Sequence, residues 1–241
     1  MLNRLRKNIP NTITCLNLLS GCLACIFAFH YSEMFGNLQG YQWAFICIGA
    51  AAVFDFCDGA SARLLKAYSD LGKELDSLSD LVSFGLAPGL ILFNTMNYFN
   101  SGDASVINPW AFIALFIPVM GALRLAKFNI DTRQTTSFIG LPIPAAAIFW
   151  IGLTGWLQRT QSYNNAVVAV IIIIMALLMV SGVRMFSLKF KNFGFRENFR
   201  RYMLLLATVL FVLSDGIAGF AWTIVFYILV SACGRKSEPA A

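Results

Sequence analysis

Long apolar runs separated by short polar breaks dominate this chain. Runs near 12–30, 42–62, 77–97, 109–128, 138–157 and 164–184 each approach the roughly 20 residues that a helix needs to cross a bilayer. A last run, near 201–233, is long for one crossing and short for two, and Ser214-Asp215-Gly216 interrupts it. The pattern predicts an all-α, polytopic transmembrane helical bundle. Eight spans follow if the last run is a tight hairpin turning at Asp215-Gly216, and seven if it is one helix.

Charge placement orients the bundle, because Lys and Arg collect in cytoplasmic loops. With a cytoplasmic N-terminus, Arg4, Arg6, Lys7, Arg63, Lys66, Lys73, Arg124, Lys127, Arg133 and the basic residues of 184–201 all fall inside. Up to Arg201 only Arg159 breaks the rule. Arg235 and Lys236 also fall inside if the last run is a hairpin. Composition agrees: 58% of the 241 residues are hydrophobic, 12% are charged, and mean hydropathy is +0.69. A water-soluble domain carries about twice that share of charge, so soluble and disordered classes are excluded. The net charge of +6 does not indicate nucleic acid, since the basic residues sit between apolar runs and form no stripe.

Arg4, Arg6 and Lys7 ahead of Leu19-Ser20-Gly21-Cys22 resemble a lipoprotein cleavage site, but Asn11, Thr12, Thr14 and Asn17 make that segment too polar. It reads as a retained first span. Cys22 and Cys25 have the spacing of a redox or metal pair, with no second pair, inside a lipid-length helix; they read as small hydrophobes. No repeat, linker or low-complexity segment divides the chain, so 1–241 is expected to be one membrane domain, with a core over 8–185 and a basic loop and hairpin over 186–241.

Charged groups in or beside a span are costly, which makes them candidates for function. Here they concentrate. Asp55 and Asp58 share a face at the end of the second span, and Gly72, Asp76 and Asp80, each four apart, share a face at the start of the third. The short link between Arg63 and Gly72 is expected to fold these helices into an antiparallel pair that brings four carboxylates together. Crowded anions require a cation, and an all-carboxylate set suits a hard divalent ion, Mg²⁺ or Mn²⁺, of the kind shared with substrate phosphates. Arg63 offers a planar fork for phosphate oxygens, and Gly59 and Gly72 leave room for a ligand. The set reads as a pyrophosphate held by metal at the membrane face. The competing reading is a divalent-cation carrier with an acidic pathway.

The pattern Asp55-x2-Asp58-Gly59-x2-Ala62-Arg63-x8-Gly72-x3-Asp76-x3-Asp80 resembles the signature of the CDP-alcohol phosphotransferase family. Pro10-Asn11-x2-Thr14-x2-Asn17, Ser83-Phe84-Gly85-Leu86-Ala87-Pro88, Ala122-Leu-Arg124-Leu-Ala-Lys127-Phe128-Asn129 and Gly140-Leu-Pro142-Ile-Pro144 look like its phosphatidylserine synthase branch, in which Lys127 is more often Arg. The resemblance covers roughly 8–185. It implies a homodimeric enzyme of the bacterial plasma (inner) membrane, with its active site facing the cytoplasm. That enzyme would join L-serine to CDP-diacylglycerol and release CMP, using two divalent ions.

The resemblance also implies that Asp55, Asp58 and Asp76 are ligands, that Asp80 is both ligand and general base, and that Gly59, Ala62, Arg63 and Gly72 line the cytidine diphosphate site. Asn11, Thr14 and Asn17 either stand near the nucleotide or join helices. Arg124 and Lys127 bind the acceptor's carboxylate, bind the lipid pyrophosphate, or anchor the helix end. Asn129 binds serine or caps its helix. His30, in an outer loop, is excluded as a base, and Asp215 is expected to be a turn residue. Ser61, Ser77 and Ser79 are expected at helix ends and not as nucleophiles. Glycerol 3-phosphate and inositol phosphate remain alternative acceptors.

Overall fold

A computed structural model describes residues 2–130, 138–187 and 194–233 of this chain. Arg133, Lys189, Lys191, Arg235 and Lys236, and the side chains of Arg4, Arg6 and Lys7, lie outside the described residues. Helices α1 (Leu2–Phe29) and α2 (Gly40–Leu65) come first. A rod follows, made of α3 (Asp70–Asp80), a π-helical turn (Leu81–Leu86) and α4 (Ala87–Ser101). Then come α5 (Phe116–Ile130), entered through the 3₁₀ segment Pro109–Leu115, and α6 (Ile143–Thr160), α7 (Asn165–Val180), α8 (Phe199–Asp215) and α9 (Gly219–Cys233). The described strands are two residues long. β1 (Met34–Phe35) pairs with β2 (Leu38–Gln39), and β3 (Phe138–Ile139) pairs with β4 (Arg184–Met185).

Five helical segments are long and apolar enough to cross a membrane: 8–29, 40–65, 70–101, 109–130 and 199–233. The outward faces are apolar, as Leu16, Leu19, Leu23 and Ile26 on α1 and Leu205, Leu206, Val209 and Leu213 on α8 illustrate. At helical spacing, such stripes suit lipid and would be unstable in water. The chain is therefore an integral membrane protein. α7, with 16 residues, rises about 24 Å at 1.5 Å per residue, short of the roughly 30 Å hydrocarbon core. The last run, 199–233, is not one rod. It turns back at Gly216–Ala218, where Gly216 takes φ 60°, and α8 and α9 pack together with Phe211 and Phe226 6.3 Å apart.

α1 organises the first half of the bundle, and here the structure departs from the expected α2–α3 pair. α1 lies along α2 and also against α3, the π turn and α4, whereas α2 and α3 make little direct contact. The link between them is four residues. Lys66 closes α2 in a left-handed conformation, and Ser69 caps α3 by accepting from the Gly72 N–H at 3.0 Å. Two buried serines fasten α3 and the π turn to α1. Ser79 Oγ donates to Thr14 O (3.2 Å), and Ser83 Oγ donates to Asn17 O (3.0 Å).

The π turn has a local cause. Pro88 has no N–H to return to the Phe84 carbonyl, and Ala87 N–H reaches back five residues to Val82, the π spacing.

Polar side chains collect in two layers at opposite ends. One layer holds Tyr31, whose hydroxyl accepts from Gln158 (2.7 Å) and Thr95 (3.0 Å), with Asn108 bonded to Asn165 (2.7 Å) and Arg159 paired with Asp215 (2.6 Å). Asp215 thus ends α8 and also neutralises Arg159. The other layer holds the acidic cluster, the Lys73–Asn129 contact (3.0 Å), and Gly140 N–H donating to Val183 O (2.8 Å).

α9 lies close against α6 because Gly152 faces Ala221. A Cβ on Gly152 would stand 2.9 Å from Ala221 Cα, whereas one on Gly49 would meet nothing within 4 Å. Gly152→Ala is expected to cost roughly 1–3 kcal/mol through overpacking and to lower the unfolding temperature in detergent. Gly49→Ala is expected to leave that temperature level or raise it slightly.

Candidate active site

Three helices build the acidic end. α2 presents Asp55 and Asp58, and α3 presents Asp76 and Asp80. α1 closes the third side with Asn11, Thr14 and Asn17. One carboxylate oxygen from each of Asp55, Asp76 and Asp80 lies within 4.8 Å of the others. Asp58 stands beside them, close enough for its charge and that of Asp55 to act on Asp76, and its own carboxylate neighbours the Thr14 hydroxyl. Asp58 Oδ2 and Asp76 Oδ1 are buried without a hydrogen-bond partner. Buried anionic oxygens left unpaired are costly, and a set of converging carboxylates with unused lone pairs is what a hard divalent ion requires. The residues fit such an ion.

A cavity of ≈ 210 Å³ opens beside the acids, lined by Asn11, Thr14, Asp58, Gly59, Ala62, Gly72 and Asp76. The expected nucleotide residues therefore meet in one place, with two qualifications. Arg63 is not in the lining; its Nη1 lies 3.6 Å from where a Gly59 Cβ would stand. Gly72 is small chiefly to admit its protein neighbours, because a Cβ there would come 2.9 Å from Asn11 Oδ1 and 3.0 Å from Ser69 Oγ. Tyr68, Ser69 and Lys73 also line the cavity. They sit in or beside the four-residue link, and an aromatic and a lysine flanking Gly72 was the signal that could have drawn attention to them.

Other expected residues separate on inspection. Asn17 is away from the cavity and donates through Nδ2 to Asp80 Oδ1 at 3.4 Å. Arg124 is 7% exposed, its guanidinium carbon lies 5.1 Å from the Phe128 ring centre, and its charge acts on Asp80. Lys127 Nζ instead donates to Val180 O at the end of α7 (3.4 Å). Asn129 Nδ2 donates to Ser77 Oγ (2.9 Å), while its carbonyl accepts from Lys73, so it ties α5 to α3.

The serines near the acids all donate to backbone carbonyls: Ser61 to Asp58 O, Ser77 to Lys73 O and Ser79 to Thr14 O. His30 sits 2.9 Å from Glu33 in the opposite layer. Cys22 and Cys25 are free. Tyr227 of α9, which the sequence did not single out, is buried beside Arg124 with its hydroxyl on Phe186 O (2.8 Å).

Residues 7–183 match the family described as CDP-alcohol phosphatidyltransferase. The chain belongs to the CDP-alcohol phosphatidyltransferase family. A Methanocaldococcus jannaschii relative is 37% identical over 73% of this chain and 72% of its own length. A Bacillus subtilis relative is 35% identical over 73% of this chain and 88% of its own. A Helicobacter pylori relative is 34% identical over 73% and 70%. All three carry the name CDP-diacylglycerol–serine O-phosphatidyltransferase. The CDP-alcohol phosphatidyltransferase match runs from Lys7 in the first turns of α1 through α7 and takes in the whole acidic end; α8 and α9 lie beyond it.

If the carboxylates hold a divalent ion, Mn²⁺ titration followed by electron paramagnetic resonance will show saturable binding to the purified protein. Asp55→Asn and Asp76→Asn are expected to weaken it at least about 10-fold, and Glu33→Gln, in the opposite layer, to leave it unchanged.

Proposed function

We propose that this protein transfers the phosphatidyl group of CDP-diacylglycerol to L-serine, giving phosphatidylserine and CMP, at the cytoplasmic face of the bacterial plasma (inner) membrane. The observation that carries the reading is the meeting of Asp55, Asp76 and Asp80 within 4.8 Å, in a family whose curated relatives bear that activity in their names.

Asp55, Asp58, Asp76 and Asp80 hold the metal, two ions of Mg²⁺ or Mn²⁺. When bound, these ions offset the charge of the pyrophosphate and of the departing CMP. Asn11, Thr14, Gly59, Ala62, Arg63 and Gly72 receive the cytidine diphosphate. The serine hydroxyl oxygen bonds to the lipid-bearing phosphorus, and the bond from that phosphorus to the CMP phosphate oxygen breaks. The hydroxyl proton passes to Asp80, and the electron pair leaves with CMP. A carboxylate beside a metal is a weak base, so Asp80 acts by its position. With Ser61, Ser77 and Ser79 all turned to backbone carbonyls, direct attack is favoured over a covalent intermediate.

Of the two expected acceptor-side cations, Arg124 is the one whose charge acts on Asp80, since Lys127 is bonded to Val180 O. Asn129 serves there by fixing α5 against α3. One cation suits a single carboxylate better than the phosphate of glycerol 3-phosphate or inositol phosphate. The cation carrier is disfavoured because Asp55, Asp58, Asp76 and Asp80 stay at one end of the bundle, while the acids Glu33 and Asp215 of the opposite layer sit beside His30 and Arg159. The acyl chains remain in lipid, and the working unit is a homodimer.

The proposed topology has eight spans with the N-terminus inside, in one membrane domain. It is supported by the Arg159–Asp215 pair, which puts the ends of α6 and α8 in the same layer, and by the hairpin of α8 and α9.

Purified protein given CDP-diacylglycerol and Mn²⁺ or Mg²⁺ is expected to release CMP with L-serine and not with glycerol 3-phosphate or inositol phosphate. Asp80→Asn should lower that rate about 10²–10⁴-fold. Metal flux into sealed vesicles, without CMP release, would point to the carrier instead.

For the topology, a variant retaining Cys233 as its one cysteine should react with a membrane-impermeant maleimide in inside-out vesicles and stay unlabelled in intact cells. The reverse pattern would mean seven spans.

A further inference from the structure

We propose that Tyr227, carried by the C-terminal hairpin of α8 and α9, is a positioning residue for the acceptor, a fixed wall that sets the direction of the Arg124 guanidinium. This inference rests on the reading of serine as acceptor and of Arg124 as its cation, and it adds to the site a hairpin that lies beyond the family match.

Little holds Arg124 directly. Its side chain is 7% exposed, and among the described residues it makes no hydrogen bond; its Nε is buried without a partner. A guanidinium commonly takes its direction from the fork of N–H bonds it makes. Here packing has to set that direction. The Phe128 ring lies 5.1 Å from the guanidinium carbon, one turn along the same helix. Tyr227 of α9 stands beside the same group. Phe128 moves with α5, whereas Tyr227 comes from a separate helix. Tyr227 is therefore the neighbour that fixes the guanidinium relative to the rest of the bundle.

Tyr227 is itself held firmly. It is 3% exposed, its hydroxyl donates to Phe186 O (2.8 Å), and its ring meets the Phe186 ring edge-on with centroids 4.9 Å apart. Phe186 directly follows β4, which pairs with β3. With the hydroxyl proton committed to that carbonyl, the tyrosine acts as a wall and not as a ligand.

The pattern of α9 points the same way. Thr223, Tyr227 and Ser231 are four apart, so they share one face, and all three are buried. Thr223 Oγ1 donates to Gly219 O within its own helix, and Ser231 Oγ has no partner. Of the three, Tyr227 is the one whose hydrogen bond leaves the helix, and it does so beside Arg124.

The test measures KM for serine and for CDP-diacylglycerol by CMP release, with unfolding temperatures alongside. Tyr227→Phe keeps the ring and loses the bond to Phe186 O; it is expected to raise the serine KM about 3–10-fold, the effect of one lost hydrogen bond. Tyr227→Leu, which removes the wall, should raise it at least about 10-fold, since a small misplacement is amplified at a reacting group. Both variants should keep the KM for CDP-diacylglycerol and the Mn²⁺ affinity. Gly152→Ala disturbs α9 nearer the opposite layer and should lower the unfolding temperature without moving the serine KM. In an Arg124→Lys background, Tyr227→Leu should raise the serine KM by no more than about 2-fold, because residues acting on one contact are not additive.

An unchanged serine KM in Tyr227→Leu would overturn the proposal. So would serine and CDP-diacylglycerol KM values that rise together as the unfolding temperature falls, or an equal rise in the wild-type and Arg124→Lys backgrounds. Release of CMP by the wild-type protein with glycerol 3-phosphate in place of serine is a separate result. It would remove the serine reading itself, and this role of Tyr227 with it.

Discussion

Carboxylates brought together at the end of a membrane bundle repel one another, and the positions of α1, α2 and α3 all answer to that repulsion. Two charged oxygens 4.8 Å apart oppose each other by roughly 3–4 kcal/mol at an effective dielectric near 20. α2 and α3 make little direct contact with one another, so they cannot hold their acids together alone. α1 does so by lying against both. The two serine hydroxyls on its backbone and the contact of Gly21 with Ser83 act as fasteners. A Cβ on Gly21 would stand 2.8 Å from Ser83 Cα, so this closeness depends on glycine. The π turn directly after Asp80 belongs to the same construction, because it presents Ser83 to α1.

The opposite layer shows how a bundle closes an end that carries no chemistry. Its polar groups are paired with one another: Tyr31 with Gln158 and Thr95, Asn108 with Asn165, Arg159 with Asp215. At the acidic end, Asp58, Asp76, Asn17 and Arg124 each keep a polar atom without a partner. Unpaired buried groups are destabilising, and among the described residues the ionisable ones with such atoms, Asp58, Asp76 and Arg124, all belong to the acidic end. That contrast separates a reaction site from a structural end more clearly than the count of charged residues does.

Much of the acidic face was legible in the sequence, because spacings of three and four along one helix fix a shared side before any packing is known. Asp55 with Asp58, and Gly72 with Asp76 and Asp80, needed nothing else. The hairpin break at Asp215-Gly216 could be read from local residues too. What could not be read depends on how helices cross. Lys127 and Arg124 are one turn apart on α5, yet one reaches Val180 O while the other is buried against the Phe128 ring, near enough for its charge to act on Asp80. Asn11, Thr14 and Asn17 form one polar stripe, but the crossing with α3 divides it, sending Asn11 and Thr14 to the cavity and Asn17 to Asp80. Tyr227 lies in a helix whose pattern is simply apolar, and its place beside Arg124 follows from the packing of α9 on α6.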